Sequence, residues 1–224
     1  KKTFKSHYNG SKNLVDFFLN KNIKSFLQVG SCVEYGICES PQNEKNYTKP
    51  KYLKSTYGKA KLQATNYLLK INKKFNFPGN IIRFYLVYGP KQDFNRFIPI
   101  VIKGCLSDDQ FPCSSGEQFR DFLYVDDAVS GILKCLKKKN LNGEILNLGS
   151  GKPKKIKKVI SKIKNQINLG RPLFGKIKMR SDEIDRLYPS ISKAKKIINW
   201  KPRINFNKGI NKTILYYKKY FKNC

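Results

Sequence analysis

The sequence predicts an α/β protein built on a doubly wound parallel sheet, with a smaller α/β lobe stacked against it. Two observations support this prediction. Short apolar segments typical of strands alternate with longer segments of helical periodicity, and this alternation favours parallel βαβ units. The later half alternates less regularly. At 224 residues the chain can bury one domain and a smaller lobe, but not several large domains.

Hydrophobic periodicity and turn-forming residues give the elements in chain order. Leu14, Phe17 and Phe18 share one face of the first helix, and Pro78 and Gly79 end the second. The predicted elements are a helix over 10–20, a strand over 24–30, a helix over 56–74, a strand over 81–87, a helix over 96–106, a strand over 119–124, a helix over 126–138, a strand over 144–148 and helices over 154–168 and 206–221.

The helix predicted over 154–168 is basic on one side and apolar on the other. Its apolar residues recur at helical spacing: Ile156, Val159, Ile160, Ile163 and Ile167. We expect this stripe to pack into a core rather than onto a membrane. No apolar run in the chain approaches the roughly 18 residues of a membrane span.

The formal net charge of +31 has two interpretations. A nucleic-acid-binding protein usually concentrates its positive charge on one face or in one arm. Here the lysines are scattered through predicted helices, loops and the C-terminal segment, which favours compositional drift and makes nucleic-acid binding the less favoured alternative. Under either interpretation the charge should attract anionic ligands.

The cysteine pattern does not indicate a metal site or a disulfide framework. The six cysteines include no Cys-x-x-Cys pair, and His7 is the only histidine, so we expect no zinc site. Scattered single cysteines are typical of a reduced cytoplasm. The six are Cys32, Cys38, Cys105, Cys113, Cys135 and Cys224.

Tyr57 and Lys61 form the first candidate chemical pair. They are four residues apart at the start of a predicted helix, so they lie on the same face. A neighbouring ammonium should lower the pKa of a phenol, which would suit Tyr57 to general acid/base work. Alone, a Tyr-x-x-x-Lys spacing is a weak signal in a chain with 13 tyrosines.

The surrounding motifs make the pair more specific. Ser31 ends a predicted strand, where doubly wound sheets place their ligands, and it precedes the pair in the chain. In order and spacing the motifs resemble those of the extended short-chain dehydrogenase/reductases, in particular the NAD-dependent epimerase/dehydratase family that modifies nucleotide sugars. The motifs are Gly10-Ser11-Lys12-Asn13-Leu14, Gly30-Ser31 with Tyr35-Gly36, Tyr57 with Lys61, Val87-Tyr88-Gly89-Pro90, Arg120-Asp121-Phe122 and Trp200-Lys201-Pro202.

The resemblance implies roles for the catalytic and cofactor residues. Ser31 matches the family's serine or threonine that hydrogen-bonds the reacting sugar oxygen. Tyr57 matches the general acid/base, and Lys61 matches the lysine that lowers the tyrosine pKa and holds the nicotinamide ribose. Tyr57 and Lys61, together with Gly30, Leu86 and Val87, would contact NAD, with NADP as the alternative. The implied cofactor-binding set is therefore Gly30, Tyr57, Lys61, Leu86 and Val87.

Three arginines are candidates for binding the substrate diphosphate beside Ser31. Arg120 matches the arginine of the family's Arg-Asp-Phe segment, and Arg180 resembles a second diphosphate arginine. Arg96 begins a predicted helix, whose N-terminus favours phosphate. The planar guanidinium suits bidentate contact with phosphate oxygens.

The largest departure from the family is the missing cofactor turn. Family members open with a strand and a Gly-x-x-Gly-x-x-Gly turn, and residues 1–224 contain no such turn. We therefore expect an N-terminally truncated chain that lacks the first βαβ half-unit and binds dinucleotide poorly. The resemblance then assigns 1–92 to the remaining part of the dinucleotide-binding Rossmann domain. It assigns 93–224 mainly to the substrate lobe, with 119–148 returning to the sheet.

Smaller departures bear on the reaction. Cys32 and Val33 replace the Asp-Glu pair that sugar 4,6-dehydratases use to eliminate water. Glu34 is shifted by one position, and we expect it to be a carboxylate at the rim of the site. His7 and Leu86 each stand where many family members have asparagine.

The resemblance therefore implies a nucleotide-sugar epimerase. A 4-keto-sugar reductase or dehydrogenase is the first alternative, and a non-catalytic basic RNA-binding relative is the second. It also implies a homodimer in which helices 10–20 and 56–74 pack as a four-helix bundle.

Overall fold

Strands and helices alternate along the chain in the computed structural model, which describes residues 2–46, 51, 53–179 and 183–222. Every predicted helix and strand is present. The α-helices are α1 (Lys2–Phe4), α2 (Gly10–Phe18), α3 (Thr56–Phe75), α4 (Phe97–Leu106), α5 (Val125–Lys137), α6 (Ile156–Ile167), α7 (Ser192–Ile198) and α8 (Phe206–Lys222). The strands are β1 (Phe26–Ser31), β2 (Gly79–Phe84), β3 (Leu86–Tyr88), β4 (Gln110–Pro112), β5 (Phe119–Arg120), β6 (Phe122–Tyr124), β7 (Ile145–Leu148), β8 (Lys154–Lys155), β9 (Arg171–Leu173) and β10 (Arg186–Leu187).

The central sheet has the strand order β1-β2-β7, and both pairings are parallel. Successive side chains of a strand point to opposite faces, so neighbouring residues of β2 serve different cores. Ile81 packs with residues of α2 and α3, whereas Ile82 packs with residues of α5 and α7. Helices therefore cover both faces of the sheet, as the predicted doubly wound arrangement requires.

Two strands that the sequence predicts as continuous are each split in two. The chain leaves the central sheet after Phe84, and β3 pairs with β6 instead of β7. The predicted strand over 119–124 breaks at Asp121, whose buried carboxylate accepts hydrogen bonds from the backbone N–H and the hydroxyl of Ser150. The prediction of single strands was wrong because apolar periodicity does not show where a strand changes partners.

A second core lies in the lobe, where α4, α6 and α8 pack against each other. The predicted apolar stripe of α6 is buried there, from Ile156 to Ile167. The opposite side of α6 carries exposed lysines. Two-residue and three-residue strands border this core in small sheets, β4 with β9 and β5 with β8 and β10.

Several short elements were not predicted. A π-helical segment, Lys5–Asn9, continues α1 into α2, and a 3-10 turn, Cys32–Tyr35, follows β1. The helix α7 and the strands β4, β8, β9 and β10 are also absent from the predicted set. These segments have at most seven residues, too few for a clear hydrophobic period. Within the described residues, no helix combines the length and apolar character needed to cross a bilayer.

Candidate active site

Ser31 lies at the carboxyl end of β1, where the chain turns from strand into the Cys32–Tyr35 segment. Its backbone is extended, with φ −151° and ψ 150°. Its N–H donates to Glu34 Oε1 at 2.7 Å, which is one arm of a capping box for the 3-10 turn. The strand and turn together fix Ser31 at the edge of the sheet where parallel α/β proteins bind ligands.

The first turns of α3 carry Tyr57 and Lys61 to the same edge. Ser55 caps this helix, and its hydroxyl accepts from the N–H of Gly58 at 2.9 Å. A Cβ atom on Gly58 would lie 3.2 Å from the carbonyl oxygen of Val33. Glycine at this position therefore allows α3 to approach the turn that follows Ser31.

Tyr57 and Lys61 are adjacent, but the ammonium is not directed at the phenol hydroxyl. Lys61 Nζ donates to the carbonyl oxygen of Val29 at 2.7 Å and lies 5.9 Å from the centroid of the Tyr57 ring. The Tyr57 side chain is 38% exposed, so its phenol can be reached from solvent. The structure thus brings Ser31, Tyr57 and Lys61 together.

The pKa of Tyr57 departs from the direction that the sequence suggests. Burial raises the pKa of Tyr57, and a hydrogen bond with the Ser31 side chain opposes this rise. The negative charge of Glu34 raises the pKa further, and the charge of Arg96 lowers it. The expected lowering by Lys61 is not among the causes of the Tyr57 pKa shift, in which burial is the largest. Burial also lowers the pKa of Lys61 itself.

His7 is a neighbour of Tyr57 that the sequence interpretation missed. The two rings meet edge to face with centroids 5.0 Å apart. Burial lowers the pKa of His7, and the positive charge of Lys61 lowers it further. The imidazole is therefore neutral at pH 7. His7 lies in the π-helical segment, 50 residues before Tyr57 in the sequence. The sequence showed only that His7 replaces an asparagine of the family, and it did not indicate contact with Tyr57.

Glu34 is not at the rim of the site as expected. It is 1% exposed, and its carboxylate lies 3.0 Å from both Arg83 Nη2 and Arg83 Nε. The hydroxyl of Thr65 donates to the same carboxylate oxygen at 2.8 Å. The prediction was wrong because the ion-pair partner is 49 residues away in the sequence.

The other residues of the expected cofactor set lie near the end of β1 and in β3. Gly30 is buried immediately before Ser31, and a Cβ atom there would collide with Glu34 Oε1. Leu86 is 36% exposed at the start of β3, and Val87 follows it, partly buried. Together with Val29, which is 44% exposed, Leu86 gives this edge apolar surface.

The three candidate arginines differ in their surroundings. Arg96 is exposed at the N-cap of α4, close enough for its charge to act on Tyr57. Arg120 is 7% exposed; its guanidinium pairs with Glu183 and donates to the Phe119 carbonyl oxygen at 2.7 Å. A diphosphate at Arg120 would therefore compete with Glu183. Arg180 lies outside the described residues.

These surfaces fit one half of a nicotinamide dinucleotide. Apolar Val29 and Leu86 suit a nicotinamide ring, and the Lys61 ammonium and Tyr57 hydroxyl suit ribose hydroxyls. The sequence contains no Gly-x-x-Gly-x-x-Gly turn of the kind that binds the pyrophosphate between the two halves.

The parallel sheet with Ser31, Tyr57 and Lys61 at its carboxyl edge is that of the extended short-chain dehydrogenase/reductase class. A comparison with protein families agrees: the sequence model of the NAD dependent epimerase/dehydratase family matches residues 1–149. The chain belongs to the NAD-dependent epimerase/dehydratase family.

Individual relatives show the same similarity over most of the chain. The uncharacterized UDP-glucose epimerase YtcB of Bacillus subtilis is 29% identical over 92% of this chain and 64% of its own length. The dTDP-D-glucose 4,6-dehydratase of Mus musculus is 30% identical over 96% of this chain and 61% of its own. The chain thus spans less than two thirds of the length of these relatives.

A solved structure of a UDP-glucuronic acid 4-epimerase from Bacillus cereus, in complex with UDP-glucuronic acid and NAD, superimposes with a TM-score of 0.88. It is 25% identical, and the alignment covers 96% of this chain and 68% of that one.

Proposed function

We propose that this chain is the catalytic part of an NAD-dependent nucleotide-sugar epimerase, with Tyr57 as its acid/base. The observation that carries the proposal is the arrangement of Ser31, Tyr57 and Lys61 at the carboxyl edge of a parallel sheet. Similarity to epimerases over more than nine tenths of the chain supports it.

Each side chain has a part in moving one proton. Tyr57 takes the proton of a sugar hydroxyl as the carbinol becomes a ketone, and it returns a proton when the hydroxyl re-forms with the opposite configuration. Ser31 lies close enough to Tyr57 to lower its pKa, and we propose that it binds the same sugar oxygen. Lys61 contributes positive charge beside the phenol. When bound, NAD would be held by Tyr57 and Lys61 at its ribose, and it would supply the hydride acceptor and donor for the sugar carbon.

The residues after Ser31 favour epimerisation over dehydration. Eliminating water requires an acid and a base next to the sugar, and this chain has Cys32 and Val33 where dehydratases have carboxylates. Burial raises the pKa of Cys32 to about 12, so its thiol stays protonated at neutral pH. We therefore place the chain among the epimerases and keep a reductase or dehydrogenase as the alternative.

The substrate we propose is a nucleoside diphosphate sugar. The net charge of +31 attracts anions over long range. Arg96 is exposed at the N-cap of α4, so its guanidinium can meet a phosphate oxygen directly. Arg120 is also proposed to bind the diphosphate, after Glu183 gives way, and Arg180 is proposed from the sequence alone.

The test is turnover of the complete protein with NAD and a panel of UDP-glucose, UDP-glucuronate and dTDP-glucose. Tyr57→Phe should lower turnover at least ~100-fold, since a positioned acid/base contributes about that much or more. Tyr67→Phe is the matched control, because Tyr67 also lies on α3 but contacts Asp16, and it should retain wild-type turnover.

The products separate the candidate reactions. An isomerised sugar without net NADH supports the epimerase, whereas net reduction or oxidation of the cofactor supports the alternative. Equal turnover by wild type and Tyr57→Phe would contradict the assigned role. RNA binding without any turnover would favour a non-catalytic relative.

A further inference from the structure

Glu34 and Arg83 form a buried ion pair directly behind Ser31. Their side chains are 0% and 4% exposed. Taking two charges out of water costs several kcal/mol per ion, and only good geometry with additional hydrogen bonds offsets that cost. Such a pair is weak as a source of stability, so its position requires another reason.

Both carboxylate oxygens of Glu34 accept hydrogen bonds. One carboxylate oxygen accepts from the backbone N–H of Ser31 at 2.7 Å. The other accepts from Arg83 Nε at 3.0 Å and from the Thr65 hydroxyl at 2.8 Å. Arg83 is further held against the face of the Tyr35 ring, 4.3 Å from its centroid.

The sequence also leaves room for this carboxylate. Gly30 has no side chain where one would collide with Glu34 Oε1. Any larger residue before Ser31 would push the carboxylate away from the Ser31 N–H. Gly30, Ser31 and Glu34 therefore fit together as a local unit.

The three partners of Glu34 belong to three different elements of the site. Ser31 ends β1, Arg83 lies on β2, and Thr65 lies on α3. Thr65 follows Tyr57 and Lys61 at intervals of eight and four residues, so all three occupy one helical face. Glu34 thus joins the strand that carries Ser31 to the helix that carries Tyr57.

We propose that Glu34 is a positioning residue, held by Arg83 and Thr65, that fixes Ser31 against Tyr57. This inference rests on the proposed function, because it assigns Ser31 and Tyr57 to the reacting pair. Glu34 itself is buried and touches no substrate. Its effect passes through the Ser31 backbone to the Ser31 hydroxyl.

If Glu34 positions Ser31, its loss should change the Tyr57 pKa in one direction; if Glu34 acts only through its charge, the pKa should change in the other. The Ser31 hydrogen bond lowers the pKa of Tyr57, whereas the negative charge of Glu34 raises it. Misplacing Ser31 should therefore raise the Tyr57 pKa, and removing the charge alone should lower it. Glu34→Asp keeps the charge and withdraws the carboxylate by one methylene, so it changes position only.

The experiment titrates Tyr57 by fluorine NMR in protein labelled with 3-fluorotyrosine, whose phenol is more acidic and titrates before alkali unfolds the chain. Tyr57→Phe assigns the resonance. We expect Glu34→Asp to raise the Tyr57 pKa. Ser31→Ala should give the largest rise, because it removes the Ser31 hydroxyl altogether. Glu34→Asp in the Ser31→Ala background should add nothing, because Ser31 is the route. Glu117→Asp, an exposed carboxylate paired with Lys155, is the control and should change nothing.

An unchanged or lowered Tyr57 pKa in Glu34→Asp, or an equal rise in the Ser31→Ala background, would overturn the inference. If Glu34→Asp fails to fold, Thr65→Val removes one bond to Glu34 at constant volume and should give a smaller rise in the same direction. An unchanged Tyr57 pKa in folded Thr65→Val would then overturn it.

Turnover of the complete protein separates this inference from the proposed function. Glu34→Asp should lower kcat by about 10-fold to 100-fold, the size expected for a misplaced catalytic group, with little change in KM. A complete protein without turnover on any sugar nucleotide, but with the expected Tyr57 titrations, would contradict the proposed function and support the positioning. Wild-type kcat in Glu34→Asp of an active protein would overturn the positioning alone.

Discussion

His7 places a neutral imidazole against the catalytic phenol of the proposed reaction. Its ring meets the Tyr57 ring edge to face, and both burial and Lys61 disfavour its protonation. A protonated His7 would put a second positive charge beside Lys61. The site is therefore most stable when Lys61 is the only cation of the two.

His7 should make folding stability depend on pH. In the unfolded chain His7 has its ordinary pKa of 6.5, whereas in the folded chain its pKa is lower, so the imidazole takes up a proton only at lower pH. The free energy of unfolding should therefore rise with pH through 6.5 and fall below it. Urea unfolding between pH 5.5 and 7.5 measures this. The slope should be smaller in His7→Asn, and identical slopes in the two proteins would contradict the assignment.

Among the helices, α5 shows how one carboxylate fixes an element in place. Asp127 is buried in its first turn and accepts from the backbone N–H groups of Arg203 and Ile204, each at 2.9 Å. The indole N–H of Trp200 donates to the Asp127 carbonyl oxygen at 3.2 Å. The segment before α8 is thereby joined to α5 and to the core under the central sheet.

Replacing Asp127 should loosen that connection. We expect Asp127→Ala to lower the free energy of unfolding by about 2 to 3 kcal/mol, because two backbone N–H groups lose a charged acceptor. Its neighbour Asp126 provides the control: it is 59% exposed with a 3.9 Å contact to Lys212, so Asp126→Ala should stay within about 0.5 kcal/mol. Chemical denaturation of both variants gives the comparison, and equal losses would refute the anchoring role.

At the scale of the whole molecule, the outward face of α2 is a candidate surface for dimer formation. In α2 the residue facing the core is Val15, while Leu14 and Phe17 are 53% and 64% exposed. Phe18 is partly buried in the core, so the three apolar residues of this predicted helix do not share one environment. An exposed apolar face on α2, packed beside α3, is what the proposed four-helix bundle between two copies requires.

The proposed dimer can be tested by changing that face alone. We expect light scattering of the complete protein at about 0.15 M salt, where charges are screened beyond roughly 8 Å, to give a dimer. Phe17→Asp should give a monomer, because the interface would then bury an unpaired charge. Leu215→Asp is the control, since Leu215 is 59% exposed on α8. A monomeric wild type, or a dimeric Phe17→Asp, would rule out this interface.

Local patterns were enough to predict most of the fold and part of the site. The helices of nine or more residues and the three strands of the central sheet appear in the sequence as apolar periods, and glycine and proline mark several of their ends. The spacing of Tyr57 and Lys61 is a property of a single helix, and Ser31 is placed by the end of a single strand. Such features need no knowledge of how distant segments pack, so the sequence by itself determined them.

Tertiary packing decided everything that depends on partners far apart in the chain. The folding of distant segments against each other pairs Glu34 with Arg83 and Arg120 with Glu183, and it buries these side chains. It also raises the Tyr57 pKa that Lys61 was expected to lower. The breaks at Tyr85 and Asp121 arise in the same way, because a strand ends where its hydrogen-bonding partner changes. Desolvation and pairing act between elements, and a linear pattern carries no record of them.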